Sequence, residues 1–202
     1  MPWTGRSPAP TQTGSRIGRS TRRAAPHLLY RPADYTRRVQ ADDDALLFRA
    51  ATDDDAGAVA RIWHEGWPDG HLGNVPDELA AVRTEESFYV RASERVGDTV
   101  VAVIDGAVAG FIMVVDDEVE QVYVARRHRG SGVASALLAE AERLVNVNGH
   151  DRAWLAVVAG NARARAFYER QGWSDGGPFD YQVPTAAGTI TVPAHRYVKR
   201  VG

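Results

Sequence analysis

Between Val119 and Val145 the chain passes from a strand-like run, Val119-Glu120-Gln121-Val122-Tyr123-Val124, through the glycine turn Arg129-Gly130-Ser131-Gly132-Val133-Ala134 into a long amphipathic helix. The helix is read from Val133, Leu137, Leu138, Ala141, Leu144 and Val145, which recur at helical spacing, and Asn148-Gly149 ends it. A strand that enters a helix through glycines gathers unpaired backbone N–H groups and the positive end of the helix dipole at one point, which makes an anion site. Glycine also lets the backbone approach a phosphate closely and take positive φ. A ligand-free tight turn would satisfy the same pattern, so the neighbouring residues must decide.

Two phosphate-binding motifs are excluded. A Walker A loop needs Gly-Lys-Ser/Thr, and no such triplet occurs. A dinucleotide fingerprint fails because Ser135 stands where its third Gly or Ala belongs, and the strand after the helix ends in Ala159-Gly160-Asn161 with no acid for a ribose.

The elements around the turn predict a mostly antiparallel sheet. Leu46 to Ala51 reads as a strand, and Thr52 with Asp53 to Asp55 caps a helix through Val59, Ile62 and Trp63. Trp67 to Asp77 is loop, and a short helix follows around Glu78 to Arg83. Thr99 to Ile104 and Val108 to Val115 flank Asp105-Gly106, a strong hairpin signal because a type I′ turn needs positive φ. Ala153 to Val158 is a buried strand, Ala162 to Gln171 a helix closed by Gly172, and Tyr181 to Val183 with His195 to Val198 a last strand pair. The predicted order is β α α β β β α β α β β.

With 202 residues and 44% apolar content, the chain can bury one full-sized core. It holds no cysteine, which excludes disulfides, thiolate-zinc sites and a Cys nucleophile and fits a reducing, cytoplasmic setting. No apolar run approaches the roughly 20 residues that cross a bilayer, so no membrane partner is expected. The net charge of −2 hides an asymmetry: residues 1–40 carry eight Arg and one acid, Asp34, which leaves the remainder strongly acidic and a poor surface for nucleic acid. Residues 1–44 read as a disordered Arg- and Pro-rich extension, with a transit peptide or a basic nucleic-acid arm as alternatives, and residues 45–202 as the folded domain.

With these residues in place, the chain resembles the GNAT superfamily of N-acetyltransferases. The family motif Gln/Arg-x-x-Gly-x-Gly/Ala is matched by Arg129-x-x-Gly132-x-Ala134. Arg127-x-x-Gly130-x-Gly132 fits the same formula, but the preceding Tyr123-Val124 strand end selects Arg129. A second motif agrees with the first: Asn161 after the next strand, Phe167-Tyr168 on the next helix, and the Gly172-Trp173 exit. The resemblance covers Leu46 to about Val198. It implies an α/β (α+β) acyl-CoA N-acyltransferase fold, a mixed, mostly antiparallel sheet with helices on both faces.

The resemblance also implies roles. Acetyl-CoA is the expected cosubstrate, with no metal, and a primary amine of a small molecule or peptide is the acceptor, attacking directly in a ternary complex. The pyrophosphate falls to the backbone of Arg129, Gly130, Ser131, Gly132, Val133 and Ala134, with the Arg129 guanidinium adding charge-assisted contacts. The pantetheine pairs with the strand edge Val122-Tyr123-Val124, where a backbone N–H polarises the thioester carbonyl. Asn161 bonds the pantetheine and Tyr168 donates to the departing sulfur. Glu120, expected to share a strand face with Val122 and Val124, is the candidate base, with Glu118, His128 or a water chain as alternatives. The stretch Trp63 to His71 lies where the family builds its acceptor pocket, and Tyr181, His195 and Tyr197 are further candidates by position. A non-catalytic acyl-CoA-binding regulator on the same fold is the competing function, and a homodimer is allowed.

Overall fold

Asp105 and Gly106 hold φ of 50° and 77°, the paired positive values that a type I′ turn demands. They join β3 (Thr99–Ile104) to β4 (Ala107–Val115), and Asp116, at φ 54°, reverses the chain again into β5 (Glu118–Val124). The computed structural model describes residues 35–41 and 44–202. Its other strands are β1 (Thr36–Ala41), β2 (Asp44–Ala50), β6 (Arg152–Val158), β7 (Ser174–Thr185) and β8 (Gly188–Arg200). They form one sheet in the order β1-β2-β3-β4-β5-β6-β8-β7. Every pairing is antiparallel except β5–β6, which the helix α5 (Val133–Val147) connects.

The sheet is covered on both faces. Leu137, Leu138, Ala141 and Val145 of α5 pack with Phe48, Val100, Ala102, Ile112 and Leu155 on one side. Trp63 of α1 (Ala56–Gly66) and Phe88 of α4 (Glu85–Glu94) pack with Val101, Phe111 and Met113 on the other. All six residues of β3 are consequently buried, which explains why it reads as a continuous apolar run with no alternation. Two short helices, α2 (Pro68–His71) and α3 (Asp77–Ala81), link α1 to α4, and α6 (Ala162–Arg170) links β6 to β7.

Three expectations are corrected. The segment Thr36–Ala41, assigned to the disordered extension, is an edge strand with Val39 opposite Leu46, so the folded part begins before residue 45. Long-range polar contacts hold it: the Tyr35 hydroxyl donates to Glu140 on α5, and Arg37 Nη1 lies 2.7 Å from the same carboxylate. The remainder of the extension, residues 1–34, lies outside the described residues. Helix α4 was not foreseen, although Thr84 caps it by accepting from the Ser87 N–H at 3.2 Å. The last two strands are 12 and 13 residues long, far beyond the short pair expected.

Candidate active site

Strands β5 and β6 meet at a single register pair, Glu118 opposite Trp154, where the Trp154 N–H donates to the Asp117 carbonyl at 2.9 Å. From there toward Val124 no further β5–β6 register pair occurs among the described residues, so the β5 edge at Val122-Tyr123-Val124 is open toward a cleft. A β-bulge in β5 contributes to this divergence. Val119 pairs with Val114 and Gln121 with Met113, which leaves Glu120 as the extra residue. The bulge overturns the expected face of Glu120: Val119, not Glu120, packs with Val122 and Val124 beneath α5.

At the end of β5 the chain makes a short helical turn, Arg126–His128, and then the glycine turn. Gly130 and Gly132 take φ of 84° and 82°, in the left-handed region that side chains disfavour. Gly132 is the N-cap of α5, and no side chain caps that helix. The first N–H groups of α5 are therefore left for an outside acceptor, the requirement of an anion site. The Arg129 guanidinium is already engaged, because Nη1 lies 2.6 Å from Asp69 on α2. Arg163 at the start of α6 stands 4.0 Å from the same carboxylate.

Asn161 caps α6 through Oδ1, which accepts from the Ala164 N–H at 3.0 Å. Its Nδ2 faces Gly70 so closely that a Cβ there would stand 2.5 Å away, which explains glycine at that position on α2. Tyr168, two turns along α6, packs its ring near Trp173 and Tyr197. Its hydroxyl makes no hydrogen bond to any described residue, and burial pushes its pKa up to about 12. The phenol is thus a protonated, unspent donor at neutral pH. Tyr123 lies close enough to feel its charge, and burial raises the Tyr123 phenol as well.

The two carboxylates of β5 differ in their partners. Glu120 Oε2 is 2.8 Å from Arg95 Nη2, and Arg95 also binds Asp98 at 2.7 Å. Glu118 has no cation at ion-pair distance among the described residues and accepts the Tyr181 hydroxyl at 2.9 Å. Burial, then the Glu120 charge, lifts Glu118 to about 7, against which the Tyr181 hydrogen bond and Arg196 work only partly. Of the other candidate bases, His128 accepts from Arg127 Nε at 3.0 Å on the exposed side of the turn.

The expected acceptor segment divides in two. Trp63 and Trp67 are core residues at 1% and 6% exposure, and His71 stacks on Trp67 with centroids 4.8 Å apart while its Nδ1 sits 2.8 Å from the Trp67 carbonyl. Tyr181 donates to Glu118, whereas His195 pairs with Asp175 at 2.8 Å and the buried Tyr197 donates to Glu169. Arg91 on α4 and Arg95 at its C-terminal end were missed with that helix, and Arg83 entered only as the end of the short helix before it. The Thr84-Glu85-Glu86-Ser87 cap, followed by Phe88 and Ala92 four residues apart, was the available signal.

A family model described as "Acetyltransferase (GNAT) family" matches residues 56–173. The chain belongs to the acetyltransferase (GNAT) family. Acetyl transfer is the general chemistry of that family, and the match spans α1 through the Gly172-Trp173 exit. Among solved structures, a GCN5-related N-acetyltransferase from Rhodopseudomonas palustris aligns with a TM-score of 0.59 at 20% identity, covering 80% of this chain and 98% of that one. The yncA acetyltransferase of Salmonella typhimurium, solved with acetyl-CoA, aligns at 0.57 and 17%, covering 78% and 94%. The paia N-acetyltransferase of Thermoplasma acidophilum, solved with coenzyme A, aligns at 0.55 and 18%, covering 77% and 98%. At these identities the likeness is one of fold. A search of curated proteins finds no match. Among the described residues no cluster of three or more His, Cys, Asp or Glu is placed to hold a metal, and no helix is long and apolar enough to cross a membrane.

Proposed function

We propose that the chain is an acetyl-CoA-dependent N-acetyltransferase that acylates a primary amine by direct attack in a ternary complex. The observation that carries this reading is the open β5 edge ending at an uncapped α5 N-terminus, with the unspent Tyr168 hydroxyl across the same cleft. Acetyl-CoA would supply a thioester whose C–S bond breaks as the N–C bond forms. The N–H groups at Gly132 to Ala134 hold the pyrophosphate, and the backbone of Val122 to Val124 aligns the pantetheine. Asn161 keeps its Nδ2 for the pantetheine while Oδ1 caps α6. Tyr168 donates to the negative charge that develops on the leaving sulfur.

An alkylammonium must lose a proton before attack, and a base poised near the working pH does this best. Glu118, lifted to about 7, fits that role better than Glu120, whose carboxylate is committed to Arg95. The fold supports this assignment by seating Glu118 where β5 and β6 part. The lack of cysteine fits action in the cytoplasm. CoA release from acetyl-CoA across a panel of amines tests the proposal, and acetyl-CoA binding with no turnover on any amine would instead mark a binding protein.

A further inference from the structure

Arg83 and Arg91 stand out because neither guanidinium has a carboxylate within ion-pair distance, or donates a hydrogen bond, among the described residues. Both side chains are partly buried. The Arg91 guanidinium carbon lies 4.1 Å from the centre of the Trp63 ring and 5.8 Å from that of Phe88. Such stacking occupies the face of the guanidinium and leaves its N–H edge free. The Glu120 carboxylate acts on Arg91 electrostatically but is taken by Arg95. Burial holds Arg91 down to about 10, and Arg83 adds to the effect. His71 adds no cation at neutral pH, since burial lowers its pKa as well.

The position of this pair identifies what it faces. Arg91 stacks on Trp63, whose ring centre lies 6.3 Å from that of Tyr123 on the open β5 edge, and Arg83 and Arg91 both act electrostatically on the Tyr123 phenol. Arg91 therefore lies on the α1–α4 face of the sheet beside Tyr123 of the open β5 edge, with Arg83 close enough to act on it. The phosphate end belongs to the α5 N-terminus and Arg129. A partly desolvated cation without a counter-ion is costly, and a ligand oxyanion received on two guanidinium forks offsets that cost.

We infer, on the reading of the chain as an amine acetyltransferase, that its acceptor is a small amine carrying a carboxylate, which Arg91 and Arg83 bind. The carboxylate fixes the amine between Glu118 and the thioester, so the pair determines specificity without touching the reacting atoms. Neutral amines lose this anchor and polyamines are repelled by it.

The test compares α-amino acids with their carboxamides and their decarboxylated amines, reading CoA thiol release and, separately, acetyl-CoA binding by calorimetry. The best acid is expected to exceed its own carboxamide in kcat/KM by about ten- to a hundredfold, the scale of a hydrogen bond to a charged group. The lower amine pKa of a carboxamide works against this result, which makes it a stringent comparison. Arg91→Gln and Arg83→Gln each remove most of the preference through KM and leave the acetyl-CoA dissociation constant unchanged. Arg83→Gln carries the test if loss of the Trp63 stack prevents Arg91→Gln from folding. The inference is overturned, with the acetyltransferase reading intact, if carboxamides or decarboxylated amines match the acids, or if the variants weaken acetyl-CoA instead. Acetyl-CoA binding with no acid acetylated also overturns it, and failure to bind acetyl-CoA removes both readings together.

Discussion

Arg95 and Glu120 form a 2.8 Å ion pair at the β5 bulge, and this pair separates the roles of two carboxylates that stand two residues apart. Glu120 is held in the ion pair with Arg95. Glu118, with only the Tyr181 hydroxyl for support, is left as the titrating group near pH 7.

The first prediction is kinetic. If Glu118 is the base, kcat/KM rises with pH through about 7 and flattens as the carboxylate becomes fully ionised, with a further rise from the free amine itself. Glu118→Gln removes the limb near 7 and lowers kcat by about ten- to a thousandfold. Glu120→Gln keeps the limb but moves it to lower pH, because the Glu120 charge is part of what raises Glu118. A limb that survives in Glu118→Gln and vanishes in Glu120→Gln reverses the assignment.

A stability effect follows from the same shift. The folded pKa of about 7 exceeds the ordinary 4.5, so the folded state binds the extra proton and stability declines as pH rises from 4.5 to 7. Glu118→Gln, which cannot ionise, is expected to be more stable than wild type at pH 8 by about 1–2 kcal/mol after solvent screening, with the gain fading toward pH 4.5. Thermal unfolding of both proteins at the two pH values checks the sign.

Tyr168→Phe keeps the ring against Trp173 and Tyr197 and deletes one donor. It is expected to lower kcat by roughly ten- to a thousandfold with acetyl-CoA affinity nearly unchanged. A change confined to affinity would reassign Tyr168 to packing.

Asp69 competes with the cofactor for Arg129 in this arrangement, at 2.6 Å. Asp69→Asn should release the guanidinium and tighten acetyl-CoA binding by about two- to fivefold, because an exposed pair contributes little on its own. Calorimetric titration at low and moderate salt decides it, and weaker binding would show that Asp69 serves the cofactor-bound state.

Glu140 is fully buried and receives Tyr35, Arg37 and Arg143. Glu140→Gln is expected to destabilise the fold by about 2–4 kcal/mol, whereas Arg37→Ala, half exposed, should cost under about 1 kcal/mol. Deletion of residues 1–40 also removes nearly all of β1, and it is expected to destabilise the domain. Denaturant unfolding of the three variants orders them.

What the sequence displays follows from how local each demand is. The Asp105-Gly106 turn, the glycines at 130 and 132 and the Asn161 cap answer to backbone geometry within a few residues, so they are legible without tertiary contacts. Strand β1 is not, because Tyr35 and Arg37 find their partner 105 and 103 residues away. Helix α4 hides its period, since Phe88 and Ala92 face inward while Tyr89 and Val90 are exposed. The bulge left one trace: Val119 and Val122 are an odd number of residues apart, and a regular strand cannot put both on one face.

Amine-dependent release of the CoA thiol from acetyl-CoA tests the account most directly, measured side by side for the wild type and Gly132→Glu, which places a carboxylate at the α5 N-cap where φ is 82°. The account predicts saturable release by the wild type that requires both acetyl-CoA and an amine, and none above background from Gly132→Glu. Release that Gly132→Glu sustains at the wild-type rate, or no release from the wild type with any amine in the panel, would contradict it.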